Sequence, residues 1–512
     1  MREAAKEKRN AAELAQAETL SRAGKLSEAL EVLERARNAD PFDARVLLEL
    51  ARIAGRLSLP DAAERCAAAA LELEPFDSEI LVERTNALRA QGRHDDAIAL
   101  LRARITEDPS RAELWLALSN TVHETGHLNE AATFAEESLR LKPSSAAARA
   151  NFAGLLFDRG ETELALKEFD RAMRAAPKNA QIRFNRALAL LYSGDLKNGW
   201  REYEWRGKVP GREIERVFNG LGPGHWTGER RNGKALLVMA EQGLGDQIMF
   251  ASLIPDLLAQ ADGPIIMDCE PRLVPLFARS FPAASIHGAK PKAQEGHVQI
   301  AYDWIKGHVP ELSIELGSLP RYLRLSFESF RAPHAPFKAD AQEAAHWREW
   351  LSGLGTTPKI GICWRSGKGG GLRNIQYAPL EFWARFAAET QAEIVSVQYD
   401  PADSELEQLR ALSGRRWHVP PALNQRNEID RLAALLSELD AVVSAPTVVP
   451  VLSAAVGTPS FKITHAGSWT ALGTPREAFL PAGRIIRPVR AGDWSEAFAI
   501  ARRELEIQLH AK

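Results

Sequence analysis

Residues 75–109 read PFDSEILVERTNALRAQGRHDDAIALLRARITEDP, and this layout recurs along the first two-fifths of the chain. A proline opens each copy, a glycine (or once Ser58) follows near its middle, and a small residue comes five positions later. Glycine permits a tight turn between two helices, and proline ends a helix. Each copy is therefore predicted to be a pair of antiparallel helices. The marks stand 34 residues apart, at Pro41, Pro75, Pro109, Pro143 and Pro177; Gly24, Gly92, Gly126, Gly160 and Gly194; and Ala29, Ala63, Ala97, Ala131 and Ala165.

A 34-residue period with these marks resembles the tetratricopeptide (TPR) repeat. The resemblance covers residues 10 to about 207, and we assign residues 1–207 to a TPR array. It implies an α superhelix with a concave groove that holds a protein partner. After Gly194 the sequence departs from the pattern, which predicts a terminal cap joined to the next domain.

Asn151 and Asn185 occupy the same phase of the repeat, on the first helix of their units. In TPR proteins this phase faces the groove, where an amide can hydrogen-bond the backbone of a bound acceptor protein. The alternative is a pair of ordinary surface asparagines, because the earlier repeats carry Glu49, Glu83 and Ala117 there.

Composition indicates a globular protein of 512 residues with a formal net charge of −2. No global charge favours nucleic acid. Cys66, Cys269 and Cys363 are scattered, which is typical of a reducing compartment. The sequence has no stretch of about 20 apolar residues, so we expect no membrane span and a cytoplasmic location.

After a Gly-, Pro- and Arg-rich linker at 208–233, short apolar runs alternate with helical segments. This order predicts two Rossmann-like α/β halves with parallel sheets, at 234–340 and 341–512. Ligands of such folds bind at the carboxyl ends of the strands, so a cleft between the halves is the expected site.

The first candidate site is the loop that follows the strand KALLVMA. Gly243 and Gly245 let a ligand approach the backbone, and Asp246 stands at the start of a helix. A carboxylate there either caps the helix or serves as a general base. The loop is neither a Walker A motif nor a complete dinucleotide fingerprint, because Ile248 replaces its third glycine.

The second candidate is the basic loop that follows the strand KIGIC. Its cations suit a diphosphate, and the alternative is a solvated basic loop. Trp364 precedes it, and Gln398 and Tyr399 end the next strand; these three either frame a nucleotide or belong to the core. The three cations are Arg365, Lys368 and Arg373.

The third candidate is the turn Ser444-Ala445-Pro446-Thr447 before an apolar helix, whose free N–H groups can bind phosphate. The alternative is a plain Ser/Thr cap. Asp430 opens the preceding helix, as a cap or as a contact to a ribose.

A family resemblance joins these candidates. EQGLGDQIMFASLIPDLL (241–258) resembles the N-terminal loop of ADP-heptose:lipopolysaccharide heptosyltransferase-like enzymes. GICWRSG, SVQYD and DRLAALLSELDAVVSAPTVV are similar to the transferase half of bacterial TPR-containing glycosyltransferases. The resemblance covers residues 200–500 and implies a GT-B fold with a nucleotide-sugar donor on the C-terminal half. Asp246 matches the proposed base of the heptosyltransferases.

The resemblance further implies inversion at the anomeric carbon without a metal or other cofactor, and the sequence contains no D-x-D tripeptide. It makes Ser or Thr of a flagellin-type protein a plausible acceptor. The stretch Ser444–Val451 lacks the acid and histidine usual in heptosyltransferases, so the sugar is not carried over. Two other hypotheses stay open: a TPR scaffold with a degenerate transferase region, and a nicotinamide oxidoreductase based on GLGDQI and Asp268.

Overall fold

The computed structural model describes residues 2–220, 222–241, 243–260, 262–294, 297–305, 310–330, 335–367 and 375–510. Residues 2–203 of the described chain form paired helices, as the repeat predicts. They are α1 (Arg2–Arg22), α2 (Leu26–Ala39), α3 (Ala44–Arg56), α4 (Pro60–Leu73), α5 (Ser78–Ala90), α6 (His94–Glu107), α7 (Ala112–Glu124), α8 (Leu128–Leu141), α9 (Ala146–Asp158), α10 (Thr162–Ala175), α11 (Ala180–Tyr192) and α12 (Leu196–Tyr203).

The marks of the repeat have the predicted structural roles. All five turn glycines have a positive φ, and Ser58 adopts the same left-handed conformation with φ of 59°. The second helices of the first five units each end two residues before a repeat proline, because the residue before proline is driven out of the helical region. The repeat alanines are at most 1% exposed and lie where the two helices touch.

The first α/β half contains a five-stranded parallel sheet in the order β2-β8-β3-β4-β5. A smaller sheet, ordered β1-β7-β6, lies in the same half. The elements are β1 (Ile214–Val217), β2 (Gly224–His225), β3 (Leu236–Met239), α13 (Leu244–Ala251), α14 (Ile254–Ala259), β4 (Ile265–Cys269), α15 (Val274–Ser280), β5 (Ala284–Gly288), β6 (Pro291–Gln294), β7 (His297–Ala301), β8 (Leu312–Glu315) and α16 (Pro320–Leu323).

The segment 208–233 differs from the predicted linker. Its strands β1 and β2 pair with β7 and β8 of the first half, and Trp226 is 1% exposed. The strands are four and two residues long, too short for a periodic pattern to stand out among glycines and prolines. Residues 208–233 therefore belong structurally to the first half.

The second half is a six-stranded parallel sheet in the order β11-β10-β9-β12-β13-β14, the doubly wound order that reverses between β9 and β12. Its elements are α17 (Ala341–Ser352), β9 (Lys359–Cys363), α18 (Leu380–Glu389), β10 (Glu393–Ser396), α19 (Asp403–Ser413), β11 (Trp417–His418), α20 (Ile429–Ser437), β12 (Ala441–Ser444), α21 (Val448–Ala455), β13 (Ser460–Ile463), β14 (Gly483–Ile486) and α22 (Trp494–His510).

The end of the helical array packs on both α/β halves through aromatic side chains. Trp200 of α12 contacts Phe250 of α13 at 6.5 Å and Phe479 of the second half at 6.0 Å between ring centroids. Tyr203 lies 5.5 Å from Trp469. The segment after Gly194, which the sequence predicted to be a terminal cap, therefore connects the helical array to both α/β halves. None of the described helices is both long and apolar enough to cross a membrane.

Candidate functional site

A cavity of 620 Å³ opens where the carboxyl ends of the two large sheets face each other. The loops that follow β3, β9, β10 and β12 supply much of its wall, as expected for parallel sheets that reverse strand order. The structure brings six predicted site residues together here: Gly243, Gly245, Asp246, Tyr399, Pro446 and Thr447.

Asp246 lies in the first turn of α13, at the wall of the cavity. The helix is capped by the backbone of Gly243, so Asp246 is its third residue and not its cap. Burial raises the pKa of the Asp246 carboxyl to about 6, and the like charge of Glu241 contributes to that rise. Lys462 and Arg212 act in the opposite direction. A carboxylate with this pKa is ionised at neutral pH and is a stronger base than an ordinary aspartate.

Lys462 is a buried cation at the cavity wall, and sequence reasoning missed it. It lies on β13 with 7% of its surface exposed, donates to Thr470 Oγ1 at 3.1 Å and forms an ion pair with Glu477. An ammonium group has three donors, so one remains for a ligand beside these two described partners. The signal was present in the sequence: Lys462 is the one charged residue of the short strand SFKI.

The N-terminus of α21 faces the same cavity through Pro446, Thr447 and Val448. The Thr447 hydroxyl caps the helix by accepting from the Val449 N–H at 3.2 Å. Ser444 is fully buried and donates to the Ala445 carbonyl at 2.8 Å, so it supports the turn rather than lining the cavity. Capping by Thr447 does not prevent this helix start from binding an anion, because the first turn of a helix has several N–H groups without an intrahelical partner.

Three predicted nucleotide-site residues have structural partners instead. Trp364 is 1% exposed in the core of the second half, where its ring meets Trp417 at 5.8 Å. Gln398 is equally buried and holds backbone groups: its Oε1 accepts from the amides of Trp364 and Arg365 at 2.9 and 3.0 Å. Arg365 pairs with both carboxylate oxygens of Glu405, at 2.5 and 2.6 Å.

Asp430 lies at the start of α20, where it forms an ion pair with Arg279 of the first half. The pair therefore joins the two halves, and Asp430 is not among the residues that line the cavity. Lys368 and Arg373 lie outside the described residues, so their predicted contact with a diphosphate stays a prediction.

The opposite wall of the cavity carries Tyr399, Tyr377 and Gln425. The Tyr399 hydroxyl donates to Ser366 Oγ at 2.9 Å. Gln425 is 8% exposed; its Nε2 donates to the Ser396 carbonyl at 3.1 Å, while its buried Oε1 has no hydrogen-bond partner among the described residues. Since the carbonyl only accepts, the amide orientation is fixed and Oε1 is the free end. Sequence reasoning missed Gln425 because it lies in an irregular turn.

The two predicted acceptor-binding asparagines are half-buried on first helices of their repeats, Asn151 on α9 and Asn185 on α11. The Asn151 amide donates to Asn120, one repeat earlier, and Asn185 accepts from Gln181 at 2.7 Å.

Family models support the repeat array. Two family models described as tetratricopeptide repeat match the chain, one over residues 78–121 and the other over residues 14–78 and 151–199. Among solved structures, the chain is similar to a thermophilic TPR protein of Thermus thermophilus. The TM-score is 0.34 and the identity 24%, over 36% of this chain and 99% of that one. PilF of Pseudomonas aeruginosa has a TM-score of 0.32 and 19% identity, over 40% of this chain and 93% of its own.

Protein FlbA of Caulobacter vibrioides is a curated relative, 32% identical over 272 residues. The match covers 52% of this chain and 46% of FlbA, so the chain spans less than half the length of that relative. The family models and the observed helix pairs agree on the N-terminal region, and its repeated units are tetratricopeptide repeats.

Proposed function

We propose that the chain is a cytoplasmic, metal-independent glycosyltransferase with a GT-B catalytic region. In this proposal it moves a sugar, with inversion, from a nucleotide-sugar donor to Ser or Thr of a protein held by the TPR groove. A flagellin-type protein is the acceptor class that we favour, on the family resemblance of the sequence.

The observation that carries the proposal is Asp246, a carboxylate with a pKa of about 6 on the wall of a 620 Å³ cavity between two parallel sheets. In the proposed reaction, the acceptor hydroxyl gives its proton to Asp246 and its oxygen attacks the anomeric carbon. The bond from that carbon to the diphosphate oxygen breaks, and its electron pair leaves with the nucleotide diphosphate. Attack from the face opposite the leaving group inverts the anomeric centre.

Charge on the departing diphosphate needs stabilisation that does not depend on a metal. The start of α21 at Thr447 offers N–H groups and the positive end of the helix dipole. The buried Lys462 ammonium lines the same cavity. We infer that these two groups take part of the leaving-group charge, together with Lys368 and Arg373 of the basic loop.

The nucleotide is proposed to lie along the wall formed by Tyr399, Tyr377 and Gln425. Rings offer a stacking surface, and Gln425 places a polar side chain on the same wall. The protein acceptor would reach Asp246 from the TPR groove, with Asn151 and Asn185 as candidate contacts to its backbone.

Thermal unfolding with UDP, GDP, ADP, CMP and their common sugar conjugates tests the donor side. A ligand at about 100 times its Kd stabilises the native state by about 2.7 kcal/mol, which moves a melting transition clearly. We expect one nucleotide family to do so, and turnover of its sugar conjugate to disappear in Asp246→Asn. If none shifts the transition, the alternative of a TPR scaffold with a degenerate transferase region takes precedence. NAD in the same panel tests the oxidoreductase hypothesis.

A further inference from the structure

Arg206 connects the last TPR helix to the segment just before α13, the helix that carries Asp246. It lies in a short 3-10 helix (Glu204–Lys208) directly after α12, with 6% of its side chain exposed. Its Nε and Nη2 lie 2.8 and 2.6 Å from Glu241 Oε1. Further contacts fix the guanidinium: Nη2 donates to Ser318 Oγ at 2.8 Å and Nη1 to Glu204 Oε1 at 3.1 Å.

Glu241 stands two residues after the end of β3 and five before Asp246. The pair packs closely against Gly317, just after β8, because a Cβ at that position would come within 2.5 Å of Glu241 Oε1. The same added atom would lie 3.3 Å from Arg206 Nε. Glycine at 317 therefore makes space for the ion pair, and the pair fixes the point where the loop leaves the sheet.

The helix that follows the loop is held from the same side. Phe250 of α13, one turn after Asp246, packs against Trp200 and Tyr203 of α12 at 6.5 and 6.3 Å. The end of the TPR array thus contacts both ends of the segment that presents Asp246: the ion pair holds its start, and the aromatic rings hold the helix behind it.

We propose that Arg206 and Glu241 are positioning residues of the transferase site, through which the last TPR helix holds the start of α13, the helix that presents Asp246. The Glu241 carboxylate also acts on Asp246 through its charge. This inference rests on the proposed function, because it assigns these residues a role in the same site.

The charges around Asp246 determine the direction in which its pKa should change when Glu241 is replaced. Glu241 acts from the end of β3 and raises the pKa of Asp246, whereas Lys462 of β13 and Arg212 lower it. Glu477 is already paired with Lys462, and α21, which packs on α13, carries no titratable side chain. Replacing Glu241 by Gln keeps an oxygen for Arg206 and removes one negative charge. The pKa of Asp246 is then lowered.

The first test is the pH dependence of kcat for Glu241→Gln. Because Asp246 must be deprotonated to act as a base, the acid limb of the profile should move to lower pH. At about pH 5, below the pKa of Asp246, the variant should then retain a larger fraction of its maximal rate than wild type. Glu202→Gln is the matched control. Glu202 of α12 is likewise a carboxylate paired with an arginine, 3.3 Å from Arg183, and it is not among the charges named as acting on Asp246. A Glu241→Gln profile that coincides with wild type and with this control overturns the inference.

A second test needs no substrate. Urea unfolding of wild type, Asp246→Asn, Glu241→Gln and the double variant between about pH 4 and 8 forms a double-mutant cycle. Asp246 binds its proton more tightly when folded, so wild type loses stability relative to Asp246→Asn as the pH rises from about 4 to about 6. We expect this loss to end at lower pH and to be smaller in the Glu241→Gln background, because only the folded-state pKa of Asp246 is lowered. Equal losses in the two backgrounds overturn the inference, whereas absent turnover in wild type overturns only the proposed function.

Discussion

Asp246 of α13 and Lys462 of β13 line one cavity from opposite halves of the α/β region, and the ammonium of Lys462 partly offsets the raised pKa of Asp246. A carboxylate and a buried cation in one cavity suit a reaction in which a proton is accepted at one point and negative charge leaves at another. Asp246 and Lys462 come into one cavity because the two halves face each other, since neither half contains both groups.

The pH dependence of turnover should reveal Asp246. With a pKa of about 6, its base form is lost as the pH falls through 6, so we expect kcat to decline on that acid limb. Asp246→Asn should lower kcat by about 10²- to 10⁴-fold, the usual contribution of a general base. Donor binding, followed by thermal shift, should persist. An unaltered kcat in Asp246→Asn would contradict the assignment.

Lys462→Met should shift the acid limb of the pH profile of kcat in the direction opposite to the shift caused by Glu241→Gln. Removing the cation takes away an interaction that lowers the pKa of Asp246, so the acid limb should move to higher pH. It also leaves Glu477 buried without its ion-pair partner, which costs about 3–5 kcal/mol of stability when a buried pair is broken.

The double variant Lys462→Met/Glu477→Leu separates these two effects. It removes both charges and should regain much of the lost stability, since an apolar pair can replace a buried ion pair. If Lys462 interacts with the departing diphosphate, kcat stays low in this stable variant. Full recovery of kcat would limit Lys462 to a structural role.

The sequence predicts those features of the structure that depend on residues close together in the chain. The repeat units were predictable because Gly92 and its equivalents mark a conformation that few other residues adopt, and Ala97 and its equivalents mark a close contact. The glycine loop before Asp246 likewise follows from one strand and one helix. The residues that line the cavity from the glycine loop and from the turn before α21 were identified for this reason.

The missed residues owe their roles to partners that are distant in sequence. Arg206 and Glu241 meet across 35 positions, and Lys462 gains its importance from Glu477 and from Asp246. Arg365 was predicted to contact a ligand on residue type alone, but Glu405, 40 residues later, binds its Nε and Nη2. Pair formation of this kind is decided by packing and not by any local pattern.

Gln425 should determine ligand affinity with little effect on stability. Among the described residues its Oε1 has no hydrogen-bond partner, so Gln425→Met removes one internal bond, from Nε2 to the Ser396 carbonyl, and a polar group from the cavity wall. We expect Kd for the stabilising nucleotide to rise about tenfold, equivalent to one hydrogen bond of roughly 1–1.5 kcal/mol. Titration calorimetry measures this change.

Gln398→Met is the matched control for that substitution. Both ends of the Gln398 amide bind backbone groups, at distances of 2.8–3.0 Å. The same side-chain replacement should therefore lower the urea midpoint distinctly, in contrast to Gln425→Met. If the two variants lose stability equally and Gln425→Met binds nucleotide normally, Gln425 is not a ligand contact.

Ser58→Gly should stabilise the TPR array. Ser58 is the one repeat turn position without glycine, and its φ of 59° is a conformation that disfavours any L side chain. The strain relieved exceeds the extra freedom that glycine gives the unfolded chain, for a net gain of about 0.5–1 kcal/mol. Gly92→Ser, one repeat later, is the reverse control: a Cβ there meets nothing within 4 Å, so its cost comes from backbone conformation alone. Urea unfolding should show a higher midpoint for Ser58→Gly and a lower one for Gly92→Ser at unchanged slope. A lower midpoint for Ser58→Gly would mean that the serine side chain stabilises the turn by more than its conformation costs.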